Sequence, residues 1–275
     1  MNTRRKILLF RGKPTPADTD SFILQIDTTL GDCENRMRLP IQGTDMVIDW
    51  GDGTIETVTQ TDEPSSDNWV THNYAEGGVF TVKVSNSITR IRFAFQGDRL
   101  KPVKGLQWGT AVWGSVAVAF RSCENLVGEF SDVPDLSNIS STILMFGSAT
   151  SFNQDVGNWS VSNITLFNNM FRDATSFNQS LENWQLRLGG VNMTSMLDEC
   201  GMNTVNYSRT LIGWANYVHA NSGMPSGAAL GALGMTYDNT VYTGIGSGHF
   251  TDAVTARAYL TSTATWTITG DSDVS

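Results

Sequence analysis

The segment Met145–Trp184 contains nearly the same sequence twice. The first copy, at 145–159, reads MFGSATSFNQDVGNW, and the second, at 170–184, reads MFRDATSFNQSLENW. The period is 25 residues, as measured from Phe146 to Phe171. A fixed period of this size is typical of a solenoid, in which each unit buries its apolar face against its neighbours. The sequence therefore predicts a solenoid, and such folds usually bind other molecules rather than catalyse reactions.

Apolar residues at fixed positions predict a common core for these units, which we call coils. The residues expected inside one coil are Met145, Phe146, Phe152, Val156, Trp159, Val161 and Ile164. Weaker copies extend the pattern in both directions, the first around Phe120, 26 residues before Phe146, and the last around Met202. About four coils are therefore expected between Phe120 and Asn206.

Asparagine recurs with the same period. Side-chain amides stacked at equivalent positions can satisfy turn carbonyls, which cost about 1–3 kcal/mol each when they are buried without a partner. We therefore predict an amide ladder along the coils. Its members are Asn153, Asn158 and Asn163, with Asn178, Asn183 and, less regularly, Asn192 as their counterparts.

The segment before the repeats shows the alternating pattern of β-strands. Strands are predicted at Phe22–Ile26, Met46–Trp50 and Val79–Val84, and in a run where Ile91, Phe93 and Phe95 share one face. Between the second and third lies Gly51–Thr54, a turn signal with two glycines that can take positive φ. Short strands at this spacing predict an antiparallel β-sandwich.

Three motifs in this segment resemble the PKD-like β-sandwich family. They are DWGDGT at 49–54, HNY at 72–74 and GGVFTV at 77–82. The resemblance covers roughly residues 21–100. It implies a spacer or adhesion module of extracellular and phage proteins, without catalysis.

The repeat itself resembles the BspA-like leucine-rich repeat family of bacterial surface proteins. The resemblance rests on the doubled MFxxATSFNQ motif and on AFRSCENL at 119–126, which is similar to the family's Ala-Phe-x-x-Cys-x-x-Leu unit. Residues 206–215 and 265–271 are similar to that family's C-terminal closure. Together the two resemblances cover nearly the whole chain.

The predicted fold class is mainly β with short helices. It combines an N-terminal PKD-like β-sandwich with a short leucine-rich-repeat solenoid and a C-terminal cap. The predicted parts are a basic N-terminal arm at 1–20, the sandwich at 21–104, the repeats at 105–205 and the capping region at 206–275. Within the cap, Thr251 and Asp252 are expected to begin a helix that runs to Leu260.

Charge is divided unevenly along the chain. The net charge is −9, yet the first 13 residues carry five basic side chains and no acid. These residues are Arg4, Arg5, Lys6, Arg11 and Lys13. We predict that this arm anchors the chain on an acidic partner surface, with a solvated tail as the alternative. So few charges, without interleaved aromatic residues, argue against nucleic-acid binding.

The first residues do not fit a secretory signal peptide. The apolar run Ile7–Phe10 is followed at once by Arg11, whereas such a signal needs about 7–15 apolar residues. No apolar run approaches the roughly 20 residues of a transmembrane helix, so no membrane insertion is expected. Cys33, Cys123 and Cys200 have the spacing of neither a disulfide framework nor a zinc site.

No group of residues predicts catalysis, a metal site or a cofactor. Asp49 and Asp52 lack the spacing of a calcium loop, and we interpret them as turn-stabilising carboxylates. His72 is interpreted as a structural hydrogen-bonding residue, while His219 and His249 stand alone and receive no role. Hydrolysis would need a nucleophile–base pair or two opposed carboxylates. None is recognisable, so the chain is predicted not to be an enzyme.

A recognition surface is predicted among the polar residues beside the repeat strands. Their amide and carboxylate groups are suited to contact glycan hydroxyls or a protein backbone. The predicted face consists of Asn153, Gln154, Asp155, Asn178, Gln179 and Glu182. Trp159 and Trp184 offer an alternative, a platform for stacking sugars, but their recurrence with the period favours packing in the core.

These features predict a non-enzymatic bacteriophage virion protein: a head or tail appendage, tail fibre or decoration subunit for host attachment or particle assembly. The expected partners are other virion proteins through the arm, a host surface glycan or protein, and further copies in a homo-oligomer. The missing secretion signal favours a virion released by lysis over the alternative, a bacterial cell-surface adhesin of the BspA-like family. An envelope-glycan hydrolase is a further alternative that lacks candidate residues.

Overall fold

The computed structural model describes residues 18–64, 68–94 and 97–275. The basic arm residues Arg4 to Lys13 lie outside this part of the chain, so their anchoring role stays a prediction. Within the described residues the fold is mainly β, with thirteen strands, two α-helices and one short 3-10 helix. None of these helices is long and apolar enough to cross a membrane.

Eight strands form the N-terminal part of the fold. They are β1 (Phe22–Asp27), β2 (Arg36–Leu39), β3 (Ile41–Asp49), β4 (Ile55–Gln60), β5 (Val70–Asn73), β6 (Val79–Ile91), β7 (Pro102–Gln107) and β8 (Val127–Gly128). The 3-10 helix Gly97–Leu100 precedes β7. Six strands form one sheet in the order β4-β3-β6-β1-β7-β8, and β2 pairs with β5. All these pairs are antiparallel except β7–β8.

The alternating pattern located β1, β3 and β6, although β3 begins five residues earlier than predicted and β6 continues to Ile91. In β1, for example, Phe22, Leu24 and Ile26 are buried while the residues between them are partly exposed. The prediction for the run through Ile91, Phe93 and Phe95 is confirmed in part, since Ile91 and Phe93 are both buried as expected, but they do not form a strand of their own. Ile91 is the last residue of β6, and Phe93 leaves the sheet to donate its backbone N–H to the Ala119 carbonyl in the first coil, at 2.9 Å. Phe95 lies outside the described residues.

The DWGDGT segment forms the predicted turn between β3 and β4. Asp49 Oδ1 accepts the Gly51 N–H at 2.9 Å, and Asp52 Oδ1 accepts the Thr54 N–H at 2.9 Å. His72 Nε2 lies 2.8 Å from Asp52 Oδ2. Burial opposes ionisation of Asp52, but hydrogen bonds with His72 and Thr54 outweigh it and lower the pKa of this carboxyl. The structural interpretations of Asp49, Asp52 and His72 are confirmed.

The repeats stack in parallel through backbone hydrogen bonds between equivalent positions. In the first pair of coils, Val118, Phe120 and Ser122 donate N–H groups to carbonyls 25 residues later, at 2.8–2.9 Å. The next two pairs repeat the pattern: Leu144, Phe146 and Ser148 donate to the third coil, and Asn169, Phe171 and Asp173 donate to the fourth. The seven apolar residues predicted for the core of one coil are all 5% exposed or less, which confirms their placement.

Two residues of each coil adopt left-handed backbone conformation. They lie four positions apart, with φ between 52° and 58°. The pairs are Val118 and Ser122, Leu144 and Ser148, Asn169 and Asp173, and Ser195 and Glu199. Positive φ is uncommon outside glycine, especially for β-branched or bulky residues. Its recurrence at the same two positions therefore marks a turn geometry that all four coils share.

Five short strands and two helices complete the fold. They are β9 (Asn192–Met193), α1 (Thr204–Ala220), β10 (Ala229–Gly231), β11 (Thr236–Tyr237), α2 (Ala253–Ser262), β12 (Thr267–Thr269) and β13 (Ser272–Asp273). The strands β9, β10 and β12 form a parallel sheet, and β11 pairs in parallel with β13. Single bridges join Ser141 to Leu166 and Leu166 to Asn192. The parallel ladder of the repeats therefore continues into the C-terminal region, where α1 precedes β10 and α2 precedes β12.

The predicted helix in the C-terminal region is confirmed as α2, with Asp252 as its N-cap. Asp252 Oδ1 accepts the Thr255 N–H at 2.8 Å. Helix α1, which was not predicted, packs directly on the coil that contains Glu182. A Cβ atom added at Gly213 would lie 2.2 Å from the Glu182 carbonyl oxygen, so the helix can approach the coil only because this position has no side chain.

Candidate recognition groove

Hydrogen bonds between coils occupy much of the predicted recognition face. Asn153 Oδ1 accepts the backbone N–H of Asn178 and the side-chain Nε2 of Gln179, both at 2.8 Å. Asn178 Oδ1 in turn accepts the N–H of Asn203 and Nδ2 of Asn206, both at 2.9 Å. An amide ladder therefore exists: the side-chain oxygens accept donors of the next coil, and the amide nitrogens of Gln179 and Asn206 donate to the backbone carbonyls of Asn153 and Asn178, at 3.0 and 2.8 Å.

The other three residues of this face are also engaged within the chain. Gln154 Oε1 accepts the Phe130 N–H at 3.0 Å, and Asp155 Oδ1 accepts a backbone N–H two residues later at 2.8 Å. Glu182 forms an ion pair with Arg209 at 2.6 Å. All six residues thus have a structural use, and their role in recognition stays a prediction.

The remaining members of the predicted ladder behave differently from one another. Asn163 Nδ2 donates to the Ser137 carbonyl at 2.7 Å, as expected for a ladder residue. Asn192 Oδ1 accepts the Thr194 N–H at 3.0 Å. Asn158 and Asn183 make no such bonds with the described part of the chain, so the prediction that they belong to the ladder is wrong. Their side chains are instead available to contact a ligand.

Asn158 and Asn183 lie in a groove of about 340 Å³ formed by two adjacent coils. Its lining residues are Gly157, Asn158, Trp159, Ser160, Val161, Ser162, Asn183 and Gln185. None of them carries a charge. The two asparagines are equivalent positions of the repeat, 25 residues apart, so the groove presents the same amide group twice.

The polar side chains of this groove are exposed and available. The side chains that make no hydrogen bond with the described residues are those of Asn158, Ser160, Ser162, Asn183 and Gln185. An amide offers donors and an acceptor, and a hydroxyl offers one donor and two lone pairs. The arrangement is therefore suited to a neutral ligand rich in hydroxyl or peptide groups.

Trp159 and Trp184 pack in the core, as their period predicts. They are 5% and 1% exposed. Trp184 Nε1 donates to the Val156 carbonyl at 2.8 Å, and the Trp159 ring meets Trp108 edge-on at 5.9 Å. Because neither ring face is open, a ligand in the groove would be held by polar side chains at its rim rather than by stacking.

Cys123 and Cys200 are buried, whereas Cys33 is half-buried. Burial raises the pKa of the Cys123 thiol, and it raises the pKa of Cys200 to about 11. Both thiols therefore stay protonated at neutral pH and behave as small apolar groups. No group of three or more His, Cys, Asp or Glu in this part of the chain is placed to hold a metal ion.

One contact could not be read from the sequence. The rings of His219 and His249, which are isolated in the chain, stack at 3.8 Å with an interplanar angle of 12°. Phe250 and Tyr259 pack edge-on against His219. The four residues join the end of α1 to α2 and the segment before it, a proximity for which the sequence carries no periodic signal.

Residues 89–210, less than half of the chain, match the family described as "Mycoplasma protein of unknown function, DUF285". This family is associated with BspA-like surface proteins. The match begins in β6, one residue before the Arg90–Ser115 bridge that opens the parallel ladder, and it ends within α1. No curated protein and no solved structure matches the chain.

Proposed function

We propose that this chain is a non-enzymatic structural protein of a bacteriophage virion that recognises a neutral glycan on the host surface. In this proposal an N-terminal PKD-like β-sandwich carries a BspA-like leucine-rich-repeat solenoid, and the groove at Asn158 and Asn183 is the recognition site. One observation supports the site above others: its side chains have unused hydrogen-bonding groups, whereas those of the neighbouring ladder are engaged.

The stacked coils provide a rigid support for such a site. Asn158 and Asn183 are held by coils whose backbones are hydrogen-bonded to one another and whose aromatic rings stack, as Phe146 and Phe171 do at 6.0 Å. A site on a rigid element loses less conformational entropy on binding than a site on a mobile loop. Equivalent amides on adjacent coils are also suited to contact successive units of a polymer.

The double variant Asn158→Ala/Asn183→Ala tests this proposal. We expect it to bind neutral oligosaccharides about tenfold more weakly, because two hydrogen bonds worth roughly 0.5–1.5 kcal/mol each are removed. Binding to a panel of immobilised neutral oligosaccharides, followed by calorimetric titration, measures the change. The exposed Asn239→Ala variant is the control and should bind normally. Equal binding by the double variant, or no binding by the unsubstituted chain, would contradict the proposal.

A bacterial cell-surface protein is the second candidate, and the family match favours it. The two candidates predict different locations for the same chain. If it is a virion protein, mass spectrometry should detect it in purified phage particles, and surface proteolysis of uninfected cells should release none. Release of its peptides from intact uninfected cells would replace the virion proposal with the cell-surface one.

A further inference from the structure

A second cavity, of about 360 Å³, opens on another segment of the coils. Its lining residues are Arg121, Leu144, Ser148, Asn169, Arg172 and Asp173. Four of them are the left-handed residues of the second and third coils described above. The shared turn geometry of the coils therefore shapes this cavity, and two arginines supply its charge.

The two arginines occupy equivalent positions of the first and third coils. Ser122 donates its N–H to the Gly147 carbonyl, and Ser148 donates to the Arg172 carbonyl. In this register Gly147 lies between Arg121 and Arg172. Gly147 has no side chain, and a Cβ atom there would lie 2.8 Å from Leu144 Cδ2, so nothing projects from this position between the two arginines. Coils spaced like parallel strands, about 4.8 Å apart, place the arginine backbones about 10 Å from each other.

Concentration of positive charge is unusual in this part of the chain. After Lys104 the sequence contains no lysine and five arginines. Arg209 and Arg257 form ion pairs with acidic residues elsewhere. Arg121 and Arg172, which pairs with Asp173, both line this one cavity. Burial lowers the pKa of Arg121, and the positive charge of Arg172 lowers it further.

Neutral donors complete the cavity, and one acid reduces its charge. The Ser148 hydroxyl and the Asn169 amide make no hydrogen bond with the described residues, so both are available to a ligand. Asp173 lies 3.4 Å from Arg172 Nε, at the exposed edge. Two guanidinium groups against one carboxylate leave a net positive site on an acidic protein.

We propose that the cavity between Arg121 and Arg172 binds a single oxyanion, either the carboxylate of an acidic sugar or the phosphate of a phosphodiester polymer. Guanidinium groups recognise both through paired, charge-assisted hydrogen bonds. The proposal does not depend on the neutral groove, which uses other residues. Loss of neutral-glycan binding and loss of anion binding are therefore separate outcomes.

Titration with glucuronate and with glycerol phosphate tests the proposal, with glucose as the neutral control. We expect Arg121→Gln and Arg172→Gln each to weaken anion binding about tenfold or more, since each removes a charged donor. Asp173→Asn should strengthen it, and added salt should weaken it. Binding of glucuronate alone would identify an acidic glycan, and binding of glycerol phosphate alone a phosphate polymer. Either result, or both, supports the site.

The exposed Arg187 provides the matched control. Arg187→Gln removes the same charge from another part of the surface and should leave the affinity unchanged. The thermal unfolding midpoint of every variant should equal that of the unsubstituted chain. The proposal is overturned if neither anion binds, if glucose competes equally, or if Arg187→Gln weakens binding as much as Arg121→Gln and Arg172→Gln do.

Discussion

Replacement of Asp98 by alanine is expected to lower the free energy of unfolding by about 3–5 kcal/mol. The side chains of Asp98 and Lys101 are both fully buried, with Oδ1 and Nζ 3.1 Å apart. Lys101 Nζ also donates to the backbone carbonyls of Cys33 and Arg36. Removal of the carboxylate would leave an ammonium group buried among neutral acceptors, which is far costlier than loss of a surface ion pair.

The same carboxylate also connects the two N-terminal sheets. Asp98 Oδ2 accepts the backbone N–H of Arg38 in β2 at 2.5 Å and lies 3.3 Å from the Arg38 Nε. Urea unfolding monitored by tryptophan fluorescence should therefore show the loss as a lower denaturation midpoint. Asp32→Ala, at an exposed site, should change stability by less than about 0.5 kcal/mol. A loss below about 1 kcal/mol for Asp98→Ala would show that the pair is not buried as described.

Replacement of Asp271 by alanine is expected to loosen β12, the last strand of the parallel ladder. It should lower the free energy of unfolding by about 2–4 kcal/mol. The Asp271 side chain is 1% exposed. Both of its oxygens accept hydrogen bonds from Arg257, at 2.7 Å each, and Tyr207 Oη donates to Oδ2 at 2.9 Å. The lower end of the range applies because the Arg257 side chain is about a quarter exposed.

Both partners of Asp271 keep the protonation states that this network needs. The hydrogen bond with Asp271 raises the pKa of Arg257, and burial raises the pKa of Tyr207. Because Tyr207 lies in α1 and Arg257 in α2, the carboxylate joins two helices to the C-terminal strands. Hydrogen exchange should therefore increase in α2 and β12 of the variant and stay unchanged in β1 and β6. The exposed Asp273→Ala variant should show neither effect, and protection of α2 at the level of the unsubstituted chain would contradict the assignment.

The core of the coils was predictable because its signal is periodic. Phe146 and Trp159 recur after 25 residues, and a recurrent apolar position in a stack must face the interior. The turn at Asp49–Thr54 was predictable for a local reason, since glycine and aspartate favour turns whatever their surroundings. Helix α1 was not predicted. Ten of its residues are buried, among them the polar Thr210 and Asn216, so it lacks the two-sided pattern that identifies a surface helix.

The candidate sites depend on the register of the stacked coils, which the amino-acid sequence alone does not show. Asn153 and Asn158 are the same residue type in the same repeat, and only the register of the stacked coils decides which amide has a partner. The pairing of Arg121 with Arg172 is similarly hidden. The two are 51 residues apart, and the glycine at 147 between them becomes meaningful only when the coils are stacked.

The stacking pattern has a consequence for how the length of this protein can change. A coil bonds to the coil before it and the coil after it, at positions that repeat every 25 or 26 residues. Duplication or loss of one such segment would join two surfaces that already fit, and it would move the N-terminal sheets relative to the C-terminal helices by about 5 Å. The near-identity of residues 145–159 and 170–184 is the kind of trace that a duplication leaves. The distance between the N-terminal sheets and the C-terminal helices can thus change in fixed increments, one coil at a time, while both ends of the molecule stay the same.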